Sequence, residues 1–269
     1  MKFIIDPSGG MAGDMFSAAL ISAGADLKTM KQAMQAAAEK LGTAGIDITR
    51  TADGSTRLKI QLISSRPHLG DEEAGAFLNE LYRQFRIEKE YRLFGNRILE
   101  ILVQAEKKAH KDFKIVIHDH GQADHHHSPA NLKPSSDHSQ SEITFLHEAQ
   151  DIIVDIIGAV TGLQSLRINP LATLSKSVSV GGGHIHFSHG THGIPAPATR
   201  IILDSHRINW EKGPIEKELC TPTGASILAA LGSRQISAKG KTKNEKVSFR
   251  GKSRGTQPYD IPPLQIFLF

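Results

Sequence analysis

The sequence predicts an α/β protein, with α+β as the alternative: a mixed sheet with flanking helices and one long histidine-rich loop. Three observations carry this. Short apolar runs with strand-like alternation recur along the chain, as at residues 58–62 and 264–268. Longer stretches with helical spacing lie between them. Residues 118–141 follow neither period and are polar, so they read as a mobile, disordered loop.

In chain order, residues 3–5 read as a short buried strand, followed by the turn Asp6-Pro7-Ser8-Gly9-Gly10 and an apolar helical run from Met11 to Ala23. Asp26 is placed to cap a helix from Leu27 to Leu41, and Gly42 to end it. Leu58, Ile60 and Leu62 alternate with polar residues as a half-buried strand. Residues 71–85 and 88–110 read as two helices, and Lys114–Ile117 as a brief strand. Helical pattern resumes at Glu142 and runs through Ile152, Ile153, Ile156, Ile157 and Val160 to Gly162. Asn169-Pro170 marks a turn. A strand at 177–183 runs into three glycines, helices follow at 197–203 and 223–231, and strands at 247–249 and 264–268.

The 269 residues suit one large or two small domains, and 39% hydrophobic with 22% charged residues is globular composition. We expect a main α/β domain over 1–233, interrupted by the loop at 118–141. A basic connector and C-terminal strand follow over 234–269, with eight Lys/Arg and one acid between Arg234 and Arg254. Cys220 is the only cysteine, which excludes a disulfide scaffold. No apolar run reaches the ~18 residues of a membrane span, and an acid at position 6 is too early for a signal peptide. The expectation is a soluble cytoplasmic protein without membrane contact. Aromatic residues do not interleave the basic stretch, so nucleic acid is not the expected partner.

The chemistry-bearing signal is histidine. Of 14, six fall between His118 and His138 and four between His184 and His192. Neutral imidazole suits nickel, zinc, copper and iron. His118, His120, His125, His126 and His127 would gather metal labilely. His184 and His186 would share one face of an extended segment, with His189 and His192 in a following glycine-flanked loop. His147, Asp151 and Asp155 are spaced by four and lie on one helical face, and Asp155 stands among aliphatics, where a charge needs a partner. The turn Asp6–Asp14, with Ser8, Gly9, Gly10 and Gly13, could cradle a phosphate on its backbone or hold a cation on its acids. The alternative is a tight strand–helix turn. Thr221, Thr223 and Gly224 precede a short helix and read equally as an anion cradle or an N-cap.

Four segments in order resemble the LarC-type nickel-insertion protein family, specifically its N-terminal half. They are Asp6-Pro7-Ser8-Gly9-Gly10-Met11-Ala12-Gly13-Asp14-Met15, His147-Glu148 with Asp151–Gly158, His189-Gly190 with Pro195-Ala196-Pro197-Ala198-Thr199, and Thr221-Pro222-Thr223-Gly224-Ala225. The chain departs from the family pattern in having Phe145 where a histidine is usual and Gly193 where a proline is usual. The resemblance implies nickel insertion into pyridinium-3,5-bisthiocarboxylic acid mononucleotide, forming the nickel-pincer cofactor of lactate racemase. That would be a nickel chelatase of the lyase class. It further implies catalysis by Asp14, Asp155 and His189, and binding of the precursor by Asp6, Ser8, Gly9, Gly10, Gly13, Thr221, Thr223 and Gly224. Nickel would be held by the histidines named above, His147 included. CTP with Mg or Mn would be bound by a second, C-terminal half supplied as a separate chain, and a homo-oligomer is expected. The alternative reading is a nickel or zinc metallochaperone or storage protein without a catalytic step.

Overall fold

The computed structural model describes residues 2–65, 69–112, 151–187, 190–235 and 249–269. The expected loop at 118–141, the strand at 114–117, the helix start at 142–150, and His147 and His189 lie outside the described residues.

Strand β1 (Phe3–Asp6) leads through the glycine turn into helix α1 (Gly13–Ser22). Helix α2 (Leu27–Leu41) has the bounds its pattern predicts. Asp26 Oδ1 accepts from the Lys28 and Thr29 N–H groups at 3.0 and 3.4 Å, and Gly42 (φ 151°) ends the helix. Strands β2 (Gly42–Arg50) and β3 (Thr56–Ser65) form an antiparallel hairpin, and helices α3 (Asp71–Gln84) and α4 (Lys89–Asp112) follow. Beyond the undescribed stretch come α5 (Ile152–Ser165), β4 (Thr173–Leu174), β5 (Val178–Gly181), β6 (His184–Phe187), β7 (Gly190–Gly193), α6 (Pro197–Ser205) and β8 (Trp210–Lys212). Helix α7 (Pro222–Ala230) and strands β9 (Arg234–Gln235), β10 (Phe249–Ser253) and β11 (Leu264–Leu268) complete the order.

The main sheet is mixed, as expected, with strand order β2-β3-β10-β11-β1-β4-β9 among the described residues. Strand β11 pairs antiparallel with both β1 and β10, placing Ile266 between Ile5 and Gly251. Leu264, Ile266 and Leu268 are buried in alternation with partly exposed neighbours, the period-two pattern of a strand with one face in the core. The expected strand at 264–268 is present, within the segment read as a basic connector and C-terminal strand. The segment's last two strands sit inside the sheet, because β11 closes the gap between β1 and β10.

Helix α1 packs on β3, β10 and β11, and α5 packs against α1, α2, α3 and α4. Helix α5 is apolar on every side, which suits an internal helix; Ile152, Ile153, Ile156 and Ile157 are fully buried. Each such side chain stabilises the fold by about 1.5–3 kcal/mol. No described helix is long and apolar enough to cross a membrane.

Candidate functional site

The glycine turn and the Thr221 turn hold each other by their backbones. The Met11 N–H donates to the Leu219 carbonyl at 2.8 Å, and the Thr221 N–H donates to the Met11 carbonyl at 3.1 Å. Their glycines are used for this close approach. Gly10 has φ +92° and lies against the Leu219 carbonyl. A Cβ on Gly9 would enter the Pro262 carbonyl, and one on Gly224 the Met11 carbonyl. Thr221 Oγ1 accepts from the Gly224 N–H at 3.2 Å, so Thr221 caps α7 itself. Asp6 is likewise occupied: its Oδ1 accepts from the Ser8 N–H at 3.1 Å, and its Oδ2 pairs with Lys176 Nζ at 3.1 Å. The structural alternatives for these two turns are therefore what the contacts favour.

What the clasp produces is a cavity of about 480 Å³ beside it. Its walls take Gly9, Gly13 and Asp14 from the first turn, Asp151 and Asp155 from α5, Ala196–Ala198 before and within α6, and Thr221–Thr223. Residues from all four ordered segments thus meet at one place. Glu106 and His110 of α4, Glu218, and the stretch Arg254–Gln257 complete the polar lining.

Three carboxyl groups define the electrostatics. Asp14 lies in the first turn of α1, Asp151 at the N-cap position of α5, and Asp155 one turn later. Asp155 is 4% exposed, and its Oδ1 is buried without a hydrogen-bond partner. Burial pushes the Asp14 carboxyl up to about 7; the Met15 N–H at 2.7 Å opposes this, and the charge of Asp151 adds to it. Burial also raises Asp151, and it raises Asp155 well above the usual range, helped by the charges of Asp151 and Asp14. Burial and mutual repulsion thus oppose ionisation of all three acids, and a cation that enters favours their charged forms.

The histidine cluster divides. Strands β6 and β7 pair so that Ile185 faces His192, while His184 faces Gly193 and His186 faces Thr191. Cross-strand partners share a face, and Ile185 and His192 both line the cavity. His184 is exposed on the alternate position. The pairing puts His184 and His192 on opposite faces of the hairpin, because residues 190–193, read as a glycine-flanked loop, form a strand with its own alternation. Among the described residues no three His, Cys, Asp or Glu side chains lie together closely enough to hold a metal ion. Of the residues singled out from sequence, Asp14, Asp155, Gly9, Gly13, Thr221, Thr223 and His192 line the cavity. Asp6, Ser8, Gly10, His184 and Gly224 do not.

The sequence reading did not assign Glu106, His110, Glu218 or Arg254 to the site. The spacing of Glu106 and His110 by four on one helix was a usable signal. Nothing local marks the other two. Asp151 was visible through the face it shares with Asp155.

Comparison with known proteins agrees with the ordered segments. The family described as nickel insertion protein matches residues 3–125 and 137–262. A protein of Methanothrix thermoacetophila, provisionally named a nickel insertion protein, is 31% identical over 227 residues, covering 84% of this chain and 49% of the relative. A Thermotoga protein named pyridinium-3,5-bisthiocarboxylic acid mononucleotide nickel insertion protein is 27% identical over 238 residues, covering 84% and 52%. The chain spans about half the length of these curated relatives. No solved structure matches it.

Proposed function

This chain belongs to the nickel insertion protein family, and from that premise we propose that it carries Ni²⁺ into pyridinium-3,5-bisthiocarboxylic acid mononucleotide, the compound in the Thermotoga relative's name. The observation that supports this most is the acid-floored cavity where the four ordered segments meet.

The compound's own chemistry sets the task. Two thiocarboxyl groups flank one ring carbon, so nickel held by both sulfurs lies over the C–H between them. Forming the nickel–carbon bond releases that proton, and a base must take it. A base is most effective when its pKa is near the working pH, and Asp14, pushed up to about 7, meets that condition. Asp155, its buried oxygen unpartnered, is the second carboxyl able to hold nickel or the released proton. His192, which also lines the cavity, offers an imidazole for relaying the metal.

Further parts of this reading are a lyase-class reaction, supply of product to lactate racemase, and CTP with Mg or Mn bound by a second half that this chain does not span. A cytoplasmic homo-oligomer is the expected setting. The test is incubation of the protein with precursor and Ni²⁺, with and without CTP, Mg²⁺ and the C-terminal half of the Thermotoga relative, followed by mass spectrometry. Nickelated product from this chain supports the reading. Nickel binding with no product under either condition overturns it in favour of a metal-delivery protein.

A further inference from the structure

The cavity is one-sided in its ionisable groups. Asp14, Asp151, Asp155, Glu106 and Glu218 line it, and among the described lining residues the only permanently charged cation is Arg254. The proposed substrate is two-ended: a pyridinium ring whose two thiocarboxylates are balanced once Ni²⁺ is bound, and an anionic phosphate. The carboxyl groups suit the metal and the metal-loaded ring, and they offer the phosphate no fixed positive charge.

The other anion cradles open to the sequence are closed in the structure. Gly9 and Gly224 are filled by neighbouring carbonyls, and the N-terminus of α7 is capped by Thr221. The first turn of α1 faces the cavity, but it carries Asp14, which already takes the Met15 N–H.

Arg254 is built as a fixed fork. Its Nε donates to Asp53 Oδ2 at 2.8 Å, and its Nη1 donates to the Ile261 carbonyl at 2.6 Å and the Tyr259 carbonyl at 3.4 Å. None of these bonds uses Nη2. The loop it reaches is tied down a second time by Arg57, whose Nε donates to the Gly255 carbonyl at 2.8 Å. Asp53 is itself held well below the usual carboxylate range by hydrogen bonds from Thr51, Arg254 and Ser55, so the anchor stays charged. A planar guanidinium held this way loses little freedom when a phosphate docks.

Resting on the proposed substrate, we infer that Arg254 binds the phosphate of the mononucleotide and so orients its pyridinium ring toward Asp14 and Asp155. Arg254 is then a specificity residue: it separates a nucleotide from a nucleoside of the same ring.

The experiment is calorimetry with two probes, nicotinic acid mononucleotide and nicotinic acid riboside, on wild type, Arg254→Gln and Arg254→Lys, with Ni²⁺ titrated separately as a check on the cavity floor. Wild type is expected to favour the mononucleotide by ~10-fold or more, since charge-assisted phosphate contacts are strong. Arg254→Gln is expected to bind both probes equally while retaining wild-type nickel affinity. Should Arg254→Gln not fold, Arg254→Lys decides: it keeps a point charge but not the fork, and discrimination is expected to fall at least ~3-fold. Undiminished discrimination in the folded variant overturns the inference. So does a wild type that makes nickelated product yet binds the two probes alike, an outcome that leaves the proposed function standing. A wild type that discriminates through Arg254 but makes no product has the opposite meaning.

Discussion

The two ends of α5 obey opposite rules. At its C-terminal end every group is settled. Leu166 caps the helix, Arg167 turns left-handed at φ +53°, and the Ile168 N–H closes on the Leu163 carbonyl at 2.9 Å with Ile168 itself buried. Ser165 Oγ accepts from the Asp26 N–H at 2.8 Å, and Gln164 Oε1 accepts from the Glu88 N–H at 2.7 Å. At its N-terminal end Asp151 makes no side-chain cap bond, and Asp155 keeps a buried oxygen without a partner. Polar groups are satisfied at one end, and an unmet electrostatic need is held open at the other. Local rules broken inside an otherwise consistent fold mark function.

The sharpest way to break this comparison is Ile168→Ala. Removing a buried anchor is expected to cost about 2–5 kcal/mol of unfolding free energy, read by urea titration, with nickel insertion per folded molecule unchanged. A loss of insertion without loss of stability would reverse the roles of the two ends. Asp155→Asn keeps the volume and removes the acid. We expect insertion to fall roughly 100-fold or more in single-turnover assays, with the circular dichroism of the wild type retained.

A pH titration comes next in size. Unfolded Asp loses its proton near 3.9, whereas folded Asp14 keeps it to about 7. Between those values the folded state binds more protons, so stability is greatest below pH ~4 as far as this group is concerned and falls as pH rises through 7. The expected decline attributable to Asp14 is on the order of 2 kcal/mol between pH 5 and 8. It should shrink in Asp14→Asn and be offset by Ni²⁺. The smallest effect belongs to the settled end: Arg167→Gly relieves a left-handed non-glycine residue and is expected to add about 1 kcal/mol, a melting shift of ~2–4 °C. The Arg–Ile ending recurs at Arg86-Ile87 after α3 and Arg207-Ile208 after α6, so the same gain is expected there.

Elements with strong local chemistry were legible. Helix α2 shows a cap, a period and a glycine stop, and β11 alternates cleanly; both were read to the residue. Strand β2 was not, because its burial is mostly intermediate or exposed and glycines at 42 and 45 dilute the pattern. The left-handed arginines were also invisible, since glycine is the residue expected there. In the site, the α5 acids followed from helical spacing alone. Arg254 did not, because its place in the cavity depends on β10 and β11 pairing with strands some 200 residues away in sequence. The histidine hairpin misled for a related reason: which face a strand residue takes depends on a partner strand that the local sequence does not announce.

The position of β11 has a consequence for how the chain is made. Strands β2, β3 and β10 lie on one side of it and β1, β4 and β9 on the other. On the ribosome, β1 emerges first and waits for a neighbour that is synthesised about 260 residues later. Until Leu268 leaves the exit tunnel, the sheet exists at best as two half-sheets, each with an open edge of unpaired N–H and C=O groups. Closure of the sheet therefore waits for residues 264–268, and a ribosome that stalls before residue 264 releases an aggregation-prone product instead of a smaller version of the same fold.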